Sequence, residues 1–265
     1  MISRLRRLLF PEPEVRVTAR EAEGPTWPEE TKITADLRDV RFEPETLNIE
    51  LEGVTTERVD FSGLRFHSFL TERCKFFDCD FSKVQVEWLP FGDGGSLFRG
   101  CSFEGASIGD FGDVRLERCD FTDANLEGWF TWEADLIECR FAGRLREVVF
   151  NGRNVEGSRQ NEFVGNDFRE ADLDGVAFRL GIDLDAQLLP EGPEYLRIRD
   201  LPSSVEQARD QVRRWSKPDR EQGLQMLQLI ETVYSGEPDV FTKRAFLLEM
   251  SDSREVGKRV LELLG

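Results

Sequence analysis

The sequence predicts a mainly β protein in which a β-helix spans residues 33–189 and a small α-helical bundle follows. Three observations predict it. Large apolar side chains recur every five residues through the middle of the chain, 18 of the 21 phenylalanines fall between positions 42 and 178, and the five-residue beat stops at Pro190, where helix start and stop signals take over. An α-helix repeats every 3.6 residues and a strand every two. A period of five therefore requires a chain that turns a corner every five residues and points two of the five side chains inward.

Residues 1–32 precede the repeat and carry 6 acidic and 6 basic side chains. The start, Met1 to Phe10, is basic but lacks the apolar stretch of a secretory signal, and no run in the chain approaches the ~20 apolar residues of a membrane span. Ile2, Leu5, Leu8 and Leu9 would share one face of a short helix before Pro11 and Pro13 stop it. A terminal cap or a frayed tail is the expected role, and a surface anchor is the alternative.

The repeat is read from its anchors. Phe61, Phe66, Phe76, Phe81, Val86 and Phe91 hold one register, and after the loop at Gly92–Ser96 Phe98, Phe103 and Ile108 hold it again. Leu116, Phe121, Leu126, Leu136 and Phe141 follow, then Phe163, Phe168, Leu173 and Phe178. Two positions before an anchor stands a small or modest residue, as at Cys79, Ala106, Cys119, Ala124, Ala134 and Ala171, and Asp or Asn is frequent between the two. Four corners close a square coil of about twenty residues, so Phe61, Phe81, Phe103, Phe121, Phe141 and Phe163 are expected to stack as one ladder of rings about 4.8 Å apart.

With these residues in view, the run resembles the pentapeptide-repeat family, whose pattern is Ala-Asp/Asn-Leu/Phe-x-x. The resemblance covers about 155 of 265 residues and implies a right-handed quadrilateral β-helix. Weaker early units at Ala35–Leu37 and Val40–Phe42 place its start near residue 33, giving about seven coils and a rod roughly 35 Å long.

Several residues that tempt a catalytic or metal assignment have structural readings. Cys74, Cys79, Cys101, Cys119 and Cys139 all occupy the small inward position, so they read as buried structural thiols. An odd number of cysteines also disfavours a disulfide framework. The single histidine, His67, follows an anchor and should point outward, with no second histidine for a triad or metal shell. Asp36, Asp60, Asp80, Asp120, Asp135, Asp167 and Asp172 sit directly before anchors, where a short carboxylate bonds the turning backbone. No phosphate loop, nucleophile elbow or zinc motif is present, so neither an enzyme nor a cofactor is expected.

One side of the square is irregular. At Phe69/Thr71 and Trp129/Thr131 the large residue has moved to the small position and the small one has taken the anchor, which exchanges volume within the core. Loops interrupt the same side at Gly92–Ser96 and near Phe111–Asp113, and Trp88, Trp129 and Trp132 gather around it. These tryptophans are candidate interaction residues, with a sealed packing fault as the plainer reading. Glu104, Asp123, Glu127, Glu133 and Glu138 are the accompanying acidic candidates.

Beyond Pro190, Ser203–Glu206 reads as a capping box followed by Val205, Ala208, Val212 and Trp215 on one stripe. Asp219–Tyr234, Asp239–Met250 and Ser253–Leu264 complete about four short helices. Trp215, Leu227, Ile230, Phe241, Leu247 and Leu263 are candidates for capping the open end of the β-helix or for joining two chains into a homodimer.

The net charge of −17 is concentrated in the repeat: residues 33–189 carry 32 acidic and 17 basic side chains, against 14 and 12 in residues 190–265. Excess negative charge argues against direct nucleic-acid or anionic membrane binding and for a protein partner with a basic surface, with plain solubility as the alternative reading. A cytoplasmic, non-catalytic scaffold or adaptor is therefore the first expectation. The resemblance adds a second, because the best-known members of that family, quinolone-resistance proteins, are acidic dimeric rods that imitate duplex DNA and occupy gyrase or topoisomerase IV, although most members have no known activity. B-DNA carries one charge per ~1.7 Å, and −15 over the expected rod is one per roughly 2.3 Å.

Overall fold

The computed structural model describes residues 30–33, 35–42, 46–87, 91–154 and 156–265. The basic start with its Ile2, Leu5, Leu8 and Leu9 face, and Trp88, lie outside the described residues.

The chain is mainly β, with a solenoid of about 5 turns and a few helices after it. All solenoid strands pair in parallel with strands one coil away. The longest sheet stacks Leu37–Arg38, Thr55–Glu57, Lys75–Phe77, Ser96–Arg99, Val114–Glu117, Ala134–Ile137 and Phe163–Val164. Phe76, Phe98, Leu116, Leu136 and Phe163 lie in register within it. A second sheet joins Glu30–Ile33, Thr46–Glu52, Arg65–Glu72 and Gln85–Val86, so pairing already begins at residue 30. A third joins Asp120–Thr122, Arg140–Arg146 and Asp167–Asp174, and a fourth Val149–Asn151 and Ala177–Arg179.

The interior is a column of rings. Phe42, Phe61, Phe81, Phe103, Phe121, Phe141 and Phe168 stack face to face with centroid separations of 5.0, 4.7, 5.2, 5.0, 5.0 and 4.7 Å. The strand spacing of ~4.8 Å sets that step, and rings without a hydroxyl can fill it with no polar group to satisfy. The expected sixth ring, Phe163, is not in this column. It continues the longest sheet above Leu136, because residues 152–160 leave the coil and Phe168 takes the place above Phe141.

Most corners fall two residues after an anchor in left-handed backbone, whereas Ser68 after Phe66, Asp93 after Phe91 and Asp110 after Ile108 do not adopt it. Along one row Asp39, Arg58, Asp78, Gly100, Arg118, Glu138 and Gly165 have φ between 51° and 68°, and the N–H of each donates to a carbonyl one coil further on. Non-glycine residues occupy this conformation at a cost of about 1 kcal/mol each, which the repeated hydrogen bond offsets. Four of the seven aspartates bond their own corner: Asp60, Asp80, Asp120 and Asp167 each accept a hydrogen bond through Oδ1 from the N–H two residues on, whereas Asp36 accepts from the Thr55 N–H and Asp135 from the Glu162 N–H of other coils, and Asp172 pairs with Lys243.

All five cysteines are buried and unbridged. Cys101, Cys119 and Cys139 each point Sγ at a carbonyl of the preceding coil, at 3.6, 3.5 and 3.4 Å. Asn166 continues the Cys139 row, accepting from the Cys139 N–H and donating to the Leu136 carbonyl. His67 is partly buried beside Glu87, with Nδ1 3.7 Å from the carboxylate, rather than pointing freely outward.

The C-terminal segment departs from expectation in two places. Val240–Lys243 is a strand, paired antiparallel with Tyr195–Ile198, where a helix over Asp239–Met250 was predicted. Val240, Phe241 and Thr242 are β-branched or aromatic, and pairing lets Phe241 reach the end of the ring column, 6.5 Å from Phe178 and 5.3 Å from Tyr195. Tyr195 Oη donates to the Ala171 carbonyl and accepts from the Leu173 N–H, so this strand pair engages the last edge of the solenoid. The first helix, α1 (Leu201–Val212), starts before the predicted capping box: Asp200, at φ 46°, is its N-cap and accepts from the Ser203 N–H. With α2 (Asp219–Val233), α3 (Arg244–Leu248) and α4 (Arg254–Leu264) it encloses a second core, including Val205, Val212, Leu227, Ile230, Leu247 and Val260.

Candidate interaction surface

The exchange of large and small residues on the irregular side is real and serves the backbone. Phe69 stacks on Phe91 at 4.5 Å, and Trp129 packs on Phe111 at 4.9 Å. The threonines at the anchor positions turn their hydroxyls to the next coil: Thr71 Oγ1 accepts from the Asp93 N–H at 2.9 Å and Thr131 Oγ1 from the Asn151 N–H at 2.8 Å. A ring there would leave those N–H groups without their acceptors.

The candidate tryptophans separate. Trp129 is fully buried between Phe111, Phe121 and Phe150, so it is a core residue and cannot meet a partner, which corrects its selection as an interaction residue. Trp132 is half-buried at the surface with its ring parallel to Phe130, 6.3 Å away.

Next to Trp132 the chain makes an excursion that the spacing of anchors did not reveal. The described residues 152–154 and 156–160 make a tight loop, with Asn154 Oδ1 accepting from the Arg159 N–H and the Asn154 N–H donating to the Arg159 carbonyl. Its root is locked. Asn161 Nδ2 lies 2.9–3.1 Å from the carbonyls of Thr131, Trp132 and Asn151. Arg159 contacts Asp113 at 3.1 Å, Asp135 at 2.7 Å and the Glu133 carbonyl at 3.1 Å, and Arg115 joins Glu117 to Glu162. The available signal was the glycine and serine content of Gly152–Ser158, which interrupts the beat between Phe150 and Phe163.

The acidic candidates Glu104, Asp123, Glu127, Glu133 and Glu138 are all exposed. They do not converge on one point. Asp123 and Glu138 stand on left-handed corners, φ 54° and 53°, in the rows flanking the strands Asp120–Thr122 and Arg140–Arg146. Glu127 pairs with Arg146 at 3.6 Å, while Glu104, Asp123, Glu133 and Glu138 form no ion pair with a described residue. Many solenoid arginines are held by acids on neighbouring coils, as Arg99 by Glu117, Arg140 by Asp120 and Glu170, and Arg144 by Asp174. No group of three or more His, Cys, Asp or Glu among the described residues is arranged to hold a metal ion. No helix among them is long and apolar enough to cross a membrane.

No family model matches the sequence, and no curated protein matches it. Among solved structures the chain is similar to QnrB1, a plasmid-mediated fluoroquinolone resistance protein, at 18% identity over 56% of this chain and 92% of that one, with a TM-score of 0.29. It is also similar to HetL, a pentapeptide repeat protein involved in heterocyst differentiation regulation from the cyanobacterium Nostoc, at 15% identity over 61% and 90%, TM-score 0.28. A third is Rfr23, a pentapeptide repeat protein from the cyanobacterium Cyanothece, at 12% identity over 60% and 90%, TM-score 0.20.

The C-terminal candidates also separate. Leu227, Ile230 and Leu247 are enclosed in the bundle's own core and offer no face to a second chain. Trp215 lies under the Arg259 guanidinium, 3.9 Å from its ring centroid, and Leu263 is half-buried. Phe241 is the residue that meets the end of the solenoid. Around it Asp185 pairs with Arg197 and Arg199, Lys243 with Asp172, and Glu237 accepts from the Leu180 N–H.

Proposed function

We propose that this chain is a non-catalytic scaffold that presents the acidic outer surface of its solenoid to a protein partner with a basic surface. The observation that carries this reading is the filled interior. Rings stacked from Phe42 to Phe168 leave the outside of the coil as the working surface, and the repeat that builds it carries 32 acids against 17 bases. We read the solenoid as a right-handed, four-sided coil of about seven turns once incomplete end turns are counted, with four parallel sheets in support. We place the unit boundaries near residues 30 and 190, the first slightly before the start at residue 33 read from the repeat because Glu30–Ile33 pairs with the solenoid. Five reduced, buried thiols support a cytoplasmic location.

Contact would centre on Trp132 and the rooted loop 152–160, with Glu104, Asp123, Glu133 and Glu138 supplying long-range attraction. The test is capture of partners by the full chain and by a variant carrying Glu104→Gln, Asp123→Asn, Glu133→Gln and Glu138→Gln. Loss of a captured protein with an unchanged melting temperature is expected. Capture that persists in the variant and is indifferent to salt would overturn the reading.

DNA mimicry is the second reading, supported by the rod form and the sign of its charge. It ranks lower because of charge density. Residues 61–168 carry 19 acids and 12 bases, so five steps of ~4.8 Å hold about one net charge per 3.5 Å, half the density of B-DNA. Binding to gyrase that weakens steeply with salt would restore it to first place.

A further inference from the structure

The longest sheet turns one face away from the core. Because Phe76, Phe98, Leu116, Leu136 and Phe163 point inward in register, the residues on either side of them point out and form two rows along the rod. One row runs through Glu57, Phe77, Arg99, Glu117, Ile137 and Val164. The other runs through Thr55, Lys75, Leu97, Arg115 and Asp135, and Glu162 continues it beside Phe163.

This face is neutral. With Arg38 paired beside Glu57, its outward positions hold the bases Arg38, Lys75, Arg99 and Arg115 and the acids Glu57, Glu117, Asp135 and Glu162, so the excess of 32 acids over 17 bases in residues 33–189 lies elsewhere. It is also the more apolar face: Phe77, Leu97 and Ile137 are half-buried and Val164 is 39% exposed. The outward positions of Arg140–Arg146 and Asp167–Asp174 are held instead by charged residues such as Arg144, Glu170 and Asp172. Charge is sorted along the rod as well. The half nearer the N-terminus has Arg38, Lys75 and Arg99 against Glu57, and the other half has Glu117, Asp135 and Glu162 against Arg115.

We propose that two copies of the chain join back to back through this face with their rods antiparallel. A two-fold axis across the rod, level with the gap between Arg99 and Glu117, lays the basic half of each copy on the acidic half of the other and makes every contact twice. In that register Lys75 faces Asp135 of the partner subunit, and Phe77 faces Ile137 of the partner subunit. Arg99 and Glu117, paired within each copy at 2.5 Å, meet the same pair of the other copy as a ring of four charges. At the margins Arg73 meets Glu133 of the partner subunit and Asp78 meets Glu138 of the partner subunit, one attractive and one repulsive. Over the rest of the solenoid like charge drives copies apart, so the neutral face is where a chain of net charge −17 can meet itself. The face is seven strands long, about 29 Å at ~4.8 Å per step, and narrow, which places the contact among small interfaces below ~1,200 Å². The pair leaves the acidic sides of both rods facing outward.

The test is sedimentation equilibrium of the full chain across concentration and salt. A micromolar dimer that weakens with salt is expected. Lys75 is exposed and forms no ion pair with a described residue, so Lys75→Glu should leave the melting temperature unchanged and weaken the dimer by about tenfold. Disulfide trapping under mild oxidation reads the register. Phe77→Cys and Ile137→Cys chains should cross-link rapidly when mixed and slowly when each is alone, the native cysteines being buried. A chain that stays monomeric into the millimolar range, a dimer indifferent to Lys75→Glu, or trapping of Phe77→Cys alone as fast as the mixture would each overturn the proposal. Dimerisation is read without a basic partner, so its failure leaves the scaffold reading standing, and loss of partner capture leaves the dimer.

Discussion

Phe168 lies directly over Phe141, with ring centroids 4.7 Å apart and planes 4° from parallel, although 27 residues separate them. The column therefore passes through the widest coil without a break, and the extra residues are expelled as the 152–160 loop. Continuity of ring contact, not constancy of coil length, is what the turns conserve.

Substitution inside that column should be severe. Phe121→Ala removes a fully buried ring stacked on both Phe103 and Phe141 and is expected to cost about 3–5 kcal/mol, measured by urea denaturation. A loss below 1 kcal/mol would show that the column does not hold the turns together.

Trp129 and Trp132 should behave oppositely although three positions apart. Trp129→Ala opens a cavity in the core and should lower stability by about 3–5 kcal/mol. Trp132→Ala should leave the melting temperature within a few degrees and abolish partner capture. Equal stability loss in both would remove Trp132 from the proposed surface.

The loop root can be tested through Asn161. Asn161→Ala leaves the carbonyls of Thr131, Trp132 and Asn151 without that donor and should destabilise by about 1–3 kcal/mol. Limited proteolysis should then cut first within residues 152–160. Cleavage elsewhere, with this loop intact, would contradict the role given to Asn161.

The junction of the solenoid with the strand pair Tyr195–Ile198 and Val240–Lys243 should be sensitive to acid. The hydrogen bonds from Arg199, with Arg197 beside it, hold the Asp185 carboxyl down to about 2 from an ordinary value of 3.8. Since the folded value is depressed, the contribution is complete above pH ~4 and fades as pH falls toward 2. Asp185→Asn should lower the melting temperature at pH 6 and make no difference near pH 2. A difference that grows with acid would reverse the assignment.

The stacked thiols should be inert. Burial pushes Cys101, Cys119 and Cys139 well above the ordinary thiol range, so a maleimide at pH 7.5 should leave all three unmodified until the chain is unfolded. Rapid labelling of any of them in the folded protein would show that the coil opens.

The period of five, the inward placement of every cysteine, the role of Asp60, Asp80 and Asp120 at corners, and most of the Phe column were legible in the sequence because each is local: five residues decide where a corner falls and which side chains point in. The helices Asp219–Val233 and Arg254–Leu264 were legible for the same reason, their apolar stripes and the Ser253 cap lying within a few turns.

Only the tertiary structure decided which ring follows Phe141, that Val240–Lys243 is a strand rather than a helix, that Trp129 is interior while Trp132 is not, and that Arg159 reaches Asp113 and Asp135. Each depends on a neighbour one coil or one domain away. Sequence spacing counts residues along the chain, whereas ring stacking, strand pairing and ion pairs are settled by what stands about 5 Å across from it.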